Sequence, residues 1–400
     1  MTLLWPGDDR ATDIFSESAF LRAMVRTEDA WLKVLAESGA APSCGPVVDL
    51  VTDADVADLA TESEAHGNPV IPLVALLRQR LDSAGHHGAA SWLHRGLTSQ
   101  DVIDTALMLC ALQAVDRIRV EIAGQLEALM ALVSIHRNTP MVARTLTQPA
   151  VPTSFGAKAA TWLNGVLDAA EILAALVFPV QLGGAAGTLS GLVELVGPAS
   201  ARQARARLAE ALNLAGSAPW HTRRTAVTRI GDAAVTATDA WGRIANDVLA
   251  LGRPEIGELS EGAGGGSSTM PNKSNPIMSV LIRRAALAGP PLASTLHLAS
   301  AGQVDERADG AWHVEWDTLA VLLRRTVVAA AHTRTLLAGL CVHTDVMAQR
   351  LAQLRTDVHA EQRALAAIAG HEPADTFDGL IDDLTDEALG RARHYLQEMP

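Results

Sequence analysis

The sequence has few aromatic residues, a single tyrosine and only three cysteines. Aromatic residues make up 4% of its 400 residues, whereas hydrophobic residues as a whole make up 48%. Strands favour aromatic and β-branched side chains, so a chain dominated by alanine and leucine is predicted to be helical throughout. Cys44, Cys110 and Cys341 are odd in number and far apart, which argues against a disulfide framework and against a zinc site.

Positive charge is also scarce. The chain has 32 lysine and arginine residues against 45 acidic ones, a formal net charge of −13 at pH 7, so we expect no nucleic-acid partner and no anionic membrane surface. No apolar run is long and charge-free enough to span a bilayer, and residues 1–10 lack the basic-then-apolar pattern of a signal peptide. We therefore expect a cytoplasmic protein. If it binds an anionic substrate, its positive charge must be concentrated inside the site.

Hydrophobic periodicity predicts short helices at both ends of the chain and long helices between them. A first amphipathic helix is predicted from Ser16 to about Gly39. Five long helices are predicted to end near Arg137, Phe178, Leu251, Gln303 and Leu340. Helices of this length usually belong to a bundle, so the sequence predicts an all-α fold with three helical domains and a central long-helix bundle. The expected domain ranges are 1–97, 98–340 and 341–400.

The most unusual stretch is a glycine-rich loop in front of the fourth long helix. It reads Gly264-Gly-Gly-Ser-Ser-Thr-Met-Pro-Asn-Lys-Ser-Asn-Pro276. Glycine allows sharp bends and the close approach of a ligand, and a proline suits the first turn of a helix. The side chains that can turn toward one anionic ligand are those of Ser267, Ser268, Lys273 and Asn275. The alternative is a solvated linker, but linkers rarely contain Met-Pro followed by Lys-x-Asn-Pro.

Four further loops carry clustered polar residues, and the loops between helices are the natural place for a site in a bundle. Their polar residues are His94, Thr98, Ser99 and Gln100; Arg144 and Gln148; His221, Arg223 and Arg224; and Arg307. Each cluster alone is a weak signal. Thr98 and Ser99 are also typical of plain helix caps, and a lone arginine such as Arg224 is usually a surface residue. Their joint appearance is what indicates a site for an anion.

Taken together, these stretches resemble the fumarase/aspartase superfamily, which includes adenylosuccinate lyase, argininosuccinate lyase and 3-carboxy-cis,cis-muconate cycloisomerase. The glycine-rich loop is similar to the most specific motif of that superfamily. Two other motifs are matched by His94-Arg-Gly-Leu-Thr-Ser-Gln-Asp101 and Gln181-Leu-Gly-Gly-Ala-Ala-Gly-Thr188. Pro219-Trp-His221 and Gly310-Ala-Trp-His-Val-Glu-Trp316 look most like the cycloisomerase branch. The resemblance covers nearly the whole chain.

The resemblance implies a homotetramer with a shared core of helices, in which loops of three subunits form each active site. It implies that Ser267, acting as a base, removes a proton from the carbon next to a carboxylate, and that the β-substituent then leaves. Neither a cofactor nor a metal ion is expected. Catalytic roles are also expected for Lys273 and His94. The substrate-binding residues implied by the resemblance are Thr98, Ser99, Gln100, Arg144, Gln148, His221, Arg223, Arg224, Asn275 and Arg307.

One departure from the family pattern limits the leaving group. Lyases that expel an amine carry a histidine next to the position of Gln148, where this chain has Pro149, which cannot transfer a proton. Acid catalysis matters when the leaving group is a strong base, and it matters little for a carboxylate, whose conjugate acid has a pKa of about 4. Pro149 therefore counts against the adenylosuccinate, argininosuccinate, fumarate and aspartate reactions. His94 and His221 remain alternative proton sources.

A second departure lowers the positive charge near the ligand. Asn272 and Ser274 stand where relatives often have histidine and arginine, and Asp305 stands where a histidine is usual. The first hypothesis is an enzyme that interconverts 3-carboxy-cis,cis-muconate and its carboxymuconolactone, with a di- or tricarboxylate as substrate. The alternative is a β-eliminating lyase that forms fumarate from a substituted succinate, with nitrosuccinate favoured. A non-catalytic structural homologue is the remaining alternative, and Ser267, Lys273 and Asn275 argue against it.

Overall fold

The computed structural model describes residues 3–354 and 358–399, and helices dominate this part of the chain. The α-helices are α1 (Glu17–Glu37), α2 (Val56–His66), α3 (Val70–Ser83), α4 (His87–Trp92), α5 (Ser99–Ile135), α6 (Phe155–Ala174), α7 (Ser190–Leu212), α8 (Thr225–Leu251), α9 (Ile277–Ala301), α10 (Gly310–Ala338), α11 (Thr344–Gln353), α12 (Ala360–Ala369) and α13 (Ile381–Glu398). The prediction of an all-α fold is confirmed. None of the described helices is long and apolar enough to cross a membrane.

Helix α1 shows how the predicted pattern becomes packing. The Ser16 hydroxyl caps the helix by accepting a hydrogen bond of 3.1 Å from the backbone N–H of Ala19. Met24, Trp31 and Leu35 are buried along one face, as their spacing predicts. Burying one large apolar side chain is worth about 1.5–3 kcal/mol, so this stripe decides which face of α1 turns inward.

Two antiparallel pairs of strands interrupt the helices. They are β1 (Pro140–Thr145) with β2 (Gln148–Ser154), and β3 (Leu259–Glu261) with β4 (Leu340–Val342). The turn between β1 and β2 consists of Leu146 and Thr147, whose φ angles are 49° and 68°. Positive φ at both central residues is what a type I′ hairpin turn requires. Residues 144–152, expected to form a polar loop, therefore lie in a β-hairpin.

The predicted long helices are present as α5, α6, α8, α9 and α10. A further long helix, α7, was not predicted. Its backbone breaks at Gly197, where φ is 75° and ψ is 164°, and Pro198 follows directly. Proline has no N–H to donate to a helix, so this break interrupts the hydrophobic period by which a helix is recognised.

The chain divides into two compact units. The first unit contains residues 3–117, Ala175–Asp232 and Pro290–Val327, and the second contains Ile118–Ala174, Ala233–Gly289 and the described residues from Val328 onward. Trp31, Trp220 and Trp312 are buried in the first unit, and Trp162 and Trp241 are buried in the second. Helices α5, α8, α9 and α10 contribute residues to both units. The division of the sequence into three domains stays a prediction.

Candidate active site

In the first unit, the beginning of α5 is built around the buried carboxylate of Asp101. Its Oδ2 accepts hydrogen bonds from the backbone N–H groups of Thr98 and Gly184, both at 3.0 Å. Its Oδ1 accepts one from the backbone N–H of Gly183 at 2.9 Å and lies 3.0 Å from Nε2 of His221. The bond from Thr98 to an acid three residues later is one half of a capping box. Asp101 thus joins the start of α5 to the small-residue loop and to the His221 loop.

The ring of His221 is fixed between this carboxylate and a glycine. The His221 side chain is only 4% exposed, and a Cβ on Gly183 would lie 2.6 Å from its Cε1. A side chain at position 183 would therefore force the ring to move. Gln100 is buried, and its Nε2 donates a hydrogen bond of 2.9 Å to the backbone carbonyl of His221. Two residues predicted to bind substrate are thus brought together.

His94 pairs with a buried acid that the sequence analysis did not single out. Its Nδ1 lies 2.5 Å from Oε1 of Glu28, a buried residue of α1. Burial, the largest single cause, lowers the pKa of the His94 ring, but the charge and the hydrogen bond of Glu28, together with the charge of Asp101, raise it, and the net shift of the pKa is upward. His94 therefore keeps its positive charge to a higher pH than an ordinary histidine does.

Arg307 and Thr98, predicted on loops far apart in sequence, are in contact. Nη1 of Arg307 donates a hydrogen bond of 2.6 Å to Oγ1 of Thr98. Ser99 is the first residue of α5 and is half-buried. The N-terminus of a helix carries unpaired N–H groups and a partial positive charge, which favour an anion. The beginning of α5 therefore combines a helix end, two hydroxyls and a guanidinium in an otherwise acidic chain.

Arg224 belongs to a buried charge cluster with Asp104 and Glu315, whose three side chains have no exposed surface. Its guanidinium donates to Asp104 at 2.7 and 2.8 Å and to Glu315 at 2.6 and 2.9 Å. Nε1 of Trp312 donates to Asp104 at 2.9 Å. Burial raises the pKa of Glu315, and Arg224 offsets part of that rise. Arg224 is thus fully engaged by protein groups, whereas its neighbour Arg223 is exposed.

In the second unit, the β1–β2 hairpin holds Arg144 against a buried acid. Two guanidinium nitrogens of Arg144 donate to the two carboxylate oxygens of Glu258 at 2.9 and 2.7 Å. The Glu258 side chain has no exposed surface, and that of Arg144 is 20% exposed. Gln148 is exposed beside the turn, and Pro149 lies opposite Arg144 in the strand register. Arg144 therefore has a fixed orientation, with part of its surface open to solvent.

The glycine-rich stretch, here called the serine loop (residues 262–276), closes on itself at its base. Gly265 and Asn275 exchange two backbone hydrogen bonds, both of 2.8 Å. Nδ2 of Asn275 also donates to the backbone carbonyl of Gly266 at 3.1 Å. These bonds join the first and last thirds of the loop, so its central residues form a closed turn.

Ser267 and Lys273, two of the three residues predicted to be catalytic, lie within that turn. Ser267 is half-buried, and its Oγ accepts a hydrogen bond of 3.1 Å from the backbone N–H of Met270. Lys273 is exposed, and its backbone N–H donates to the carbonyl of Met270 at 3.0 Å. Two successive turns thus carry the serine and the lysine that the motif predicted, with the lysine side chain open to solvent.

Glu261 anchors the serine loop where it leaves β3 and where it enters α9. Its carboxylate accepts hydrogen bonds from the backbone N–H groups of Met278 and Ser279 at 3.0 and 2.7 Å, and from the Ser279 hydroxyl at 2.6 Å. The first turn of a helix has N–H groups without helical partners, and its dipole favours a negative charge. A Cβ on Gly262 would lie 2.4 Å from the carbonyl oxygen of Gly339, so the loop begins against backbone.

The acids that orient these cations and helix ends give little signal in the sequence. Glu28 gave a signal in the sequence, because it lies four residues after Met24 on the apolar face of α1. It is an acid among buried positions. Glu258 gave no signal in the sequence, because its partner Arg144 is 114 positions away.

The residues predicted to form the site fall into two groups, one in each unit. The first unit holds His94, Thr98, Ser99, Gln100, His221, Arg223, Arg224 and Arg307, and the second holds Arg144, Gln148, Ser267, Lys273 and Asn275.

The chain is similar to proteins of known activity over nearly its whole length. The sequence profile described as "Lyase" matches residues 8–288. The chain is 40% identical to a nitrosuccinate lyase of Streptomyces davaonensis over 399 residues, which cover 92% of this chain and 83% of the relative. It is 35% identical to a 3-carboxy-cis,cis-muconate cycloisomerase of Bradyrhizobium diazoefficiens over 398 residues, which cover 97% of this chain and 85% of the relative.

The fold is similar to that of a solved member of the same group. The crystal structure of 3-carboxy-cis,cis-muconate lactonizing enzyme from Pseudomonas putida matches with a TM-score of 0.84 and 26% identity, covering 98% of this chain and 97% of that one. The family match, the serine loop and the fold all agree with the resemblance seen in the sequence. The chain is therefore an enzyme that belongs to the Lyase family of the fumarase/aspartase superfamily, whose members include cycloisomerases and lyases.

Proposed function

We propose that this enzyme transfers a proton at the carbon next to a substrate carboxylate, with Ser267 as the acid or base, while a weakly basic anionic group joins or leaves the neighbouring carbon. The first candidate for the substrate is 3-carboxy-cis,cis-muconate. In lactonisation, a substrate carboxylate oxygen bonds to one carbon of the double bond, and the electrons of the double bond move onto the carboxylate attached to the other carbon, which gives the aci-carboxylate. That other carbon then takes a proton from Ser267. In the reverse direction, Ser267 removes that proton and the carbon–oxygen bond breaks.

The intermediate of such a reaction carries two negative charges on one carboxyl group. Donors aimed in advance at the place where charge develops stabilise it most. Lys273 and Asn275 would supply these donors from the same loop as Ser267. Thr98, Ser99 and Arg307, at the beginning of α5, would bind another anionic group of the substrate, with His94 as a second cation.

The observation that carries the proposal is the residue in the hairpin next to Gln148. Pro149 lies in β2, opposite Arg144, and it has no group that can donate a proton. Without an acid there, loss of an amine or hydroxide would be slow, because these leaving groups are strong bases. A carboxylate, whose conjugate acid has a pKa of about 4, needs no such help. Lactonisation fits this restriction.

A second candidate, favoured by a specific observation, is the elimination of nitrite from nitrosuccinate to form fumarate. Nitrite is also a weakly basic anion, and a nitrosuccinate lyase is 40% identical to this chain. Asn272 and Ser274 are uncharged, so the serine loop has less positive charge than it would with the histidine and arginine of the family pattern. A smaller positive charge suits a dicarboxylate better than a tricarboxylate. Here Ser267 would remove the proton, and the carbon–nitrogen bond would break.

We further propose a cytoplasmic homotetramer in which each active site uses residues of more than one subunit. Helix α9 supports the association of subunits, because Val280, Leu287 and Leu298 are 47%, 69% and 72% exposed. Their spacing of seven and eleven residues puts them on one face of the helix. An apolar stripe of this kind on a long helix is typical of a surface that another chain covers.

An ultraviolet assay of the purified enzyme on 3-carboxy-cis,cis-muconate, with nitrosuccinate run alongside, tests the proposed reaction. Turnover of the muconate is expected, and fumarate and nitrite from nitrosuccinate instead would favour the second candidate. Ser267→Ala should lower kcat by about 10²–10⁴-fold and leave the fold unchanged. Ser83→Ala, the same change at an exposed position outside the serine loop, is the matched control and should leave kcat unchanged. Equal losses in both variants would contradict the role of Ser267.

A further inference from the structure

We propose that Glu28 is a positioning residue for His94, and that it holds the His94 ring as an imidazolium beside the beginning of α5. This inference rests on the proposed function only in assuming that His94 acts on the substrate. The geometry that carries it is the bond of 2.5 Å between Oε1 of Glu28 and Nδ1 of His94. Glu28 lies on α1, and no sequence motif of the site includes it.

Glu28 has fewer hydrogen-bond partners than Asp101, a buried carboxylate that joins several parts of the structure. Its side chain has no exposed surface, and among the described residues its Oε2 has no hydrogen-bond partner. A buried carboxylate is costly unless it is paired and hydrogen-bonded. Asp101, equally buried, has four partners for its two oxygens. The charge of Glu28 is therefore balanced chiefly by His94.

The backbone around His94 is held in a conformation that aims its ring at Glu28. His94 has a φ of 64°, which is uncommon for a residue with a side chain. The carbonyl before it, that of Leu93, accepts a hydrogen bond of 2.8 Å from Arg78, and the carbonyl after it, that of Arg95, accepts one of 2.7 Å from Trp31. Strained conformations persist only where the surroundings fix them. The peptide before His94 and the peptide after Arg95 are both fixed here.

Three charged groups act on the His94 ring from three helices. Burial, the largest single cause, and Arg78 on α3 lower its pKa, whereas the charge and the hydrogen bond of Glu28 on α1 and the charge of Asp101 on α5 raise it. The net shift is upward. Removing the charge of Glu28 leaves burial and Arg78 opposed by the weaker effect of Asp101, so the pKa of His94 should fall.

Hydrogen–deuterium exchange at the histidine C2 position, followed by mass spectrometry of the full-length protein, measures the pKa of each histidine. Glu28→Gln should lower the pKa of His94 by about one unit or more, since an opposite charge at this distance shifts a pKa by about 1–3 units. Glu37→Gln, the same change at the exposed end of α1, is the matched control and should leave the His94 pKa unchanged. An unchanged His94 pKa in a folded Glu28→Gln protein overturns the proposal.

The wild-type protein provides a test that does not depend on the variant folding. Its His94 should titrate above the ordinary histidine value of about 6.5, and titration below that value overturns the proposal. With an active substrate, the loss of kcat/KM at high pH should begin at lower pH in Glu28→Gln, with KM rising more than kcat falls. If the His94 pKa shifts but neither substrate turns over, the assignment of Glu28 stands and the proposed function fails.

Discussion

The buried charge cluster of the first unit and the serine loop of the second are held in opposite ways. In the cluster, Arg224 uses its donors on Asp104 and Glu315, and none of the three side chains is exposed. In the serine loop, the polar side chains make few bonds, and Lys273 is open to solvent. Both regions were predicted to bind substrate from the same kind of evidence, a cluster of polar residues in a loop.

The difference shows that a charged residue near a site has one of two roles. If its hydrogen-bond donors are already used by protein groups, the residue fixes the structure, and its removal should reduce stability. If its donors remain free, it can serve a ligand, and its removal should affect turnover while stability stays the same. Two experiments test this separation, beginning with the larger expected effect, and a third compares buried and exposed cysteines.

Replacing Arg224 by methionine should destabilise the protein strongly. The change leaves two buried carboxylates without their cation, and removing one partner of a buried ion pair costs about 3–5 kcal/mol. Urea unfolding followed by circular dichroism measures this loss. Arg223→Met is the matched control, since Arg223 is exposed next to Arg224, and a surface change alters stability by no more than about 0.5 kcal/mol. Equal stability of the two variants would remove the distinction between the regions.

Glu261 is expected to affect both stability and turnover. Its carboxylate binds the first turn of α9 and thereby anchors the serine loop that carries Ser267. Glu261→Gln removes the negative charge and one acceptor, and the loss of a helix cap costs about 0.5–2 kcal/mol. The urea midpoint should fall by this smaller amount, and kcat should fall with it because Ser267 is less firmly placed. Glu255→Gln, at an exposed position before β3, is the control. A change in kcat without a change in stability would argue against anchoring.

The smallest expected effect is a difference in reactivity between a buried and an exposed cysteine. Burial raises the pKa of the Cys110 thiol to about 12, whereas Cys341 on β4 is exposed. Burial, followed by the charge of Asp29, also raises the pKa of Cys44. The thiolate is the reactive form, so iodoacetamide at about pH 8 should label Cys341 first and leave Cys110 unlabelled in the native protein. Early labelling of Cys110 in native protein, read by mass spectrometry, would mean that α5 opens.

The features that could be predicted from the sequence are those with local signals. The periodicity of α1 predicted its buried face, and the glycines and serines of residues 264–276 predicted the loop that carries Ser267. The hairpin was missed because its turn uses Leu146 and Thr147 instead of the glycine or asparagine usual at positive φ. Pairings between distant residues were missed for a different reason.

Arg224 illustrates that second limit. Its partner Asp104 is 120 positions away, and no local pattern states which acid a given arginine will meet. A polar residue in a loop between helices was therefore assigned to the substrate when protein groups already satisfied it. The same limit hid the pairing of Glu28 with His94 and that of Glu258 with Arg144. The resemblance to a family could not correct this, because it carries over roles and says nothing of partners.

The proline at position 149 makes this enzyme useful for protein engineering. It sits at the second position of a strand of seven residues, where it offers neither a backbone donor nor a titratable side chain. The chain thus offers a background that has no acid at this position. Introducing histidine there would let an experimenter add that acid back and measure, across a series of synthetic succinates with leaving groups of increasing basicity, how much rate the added proton donor is worth.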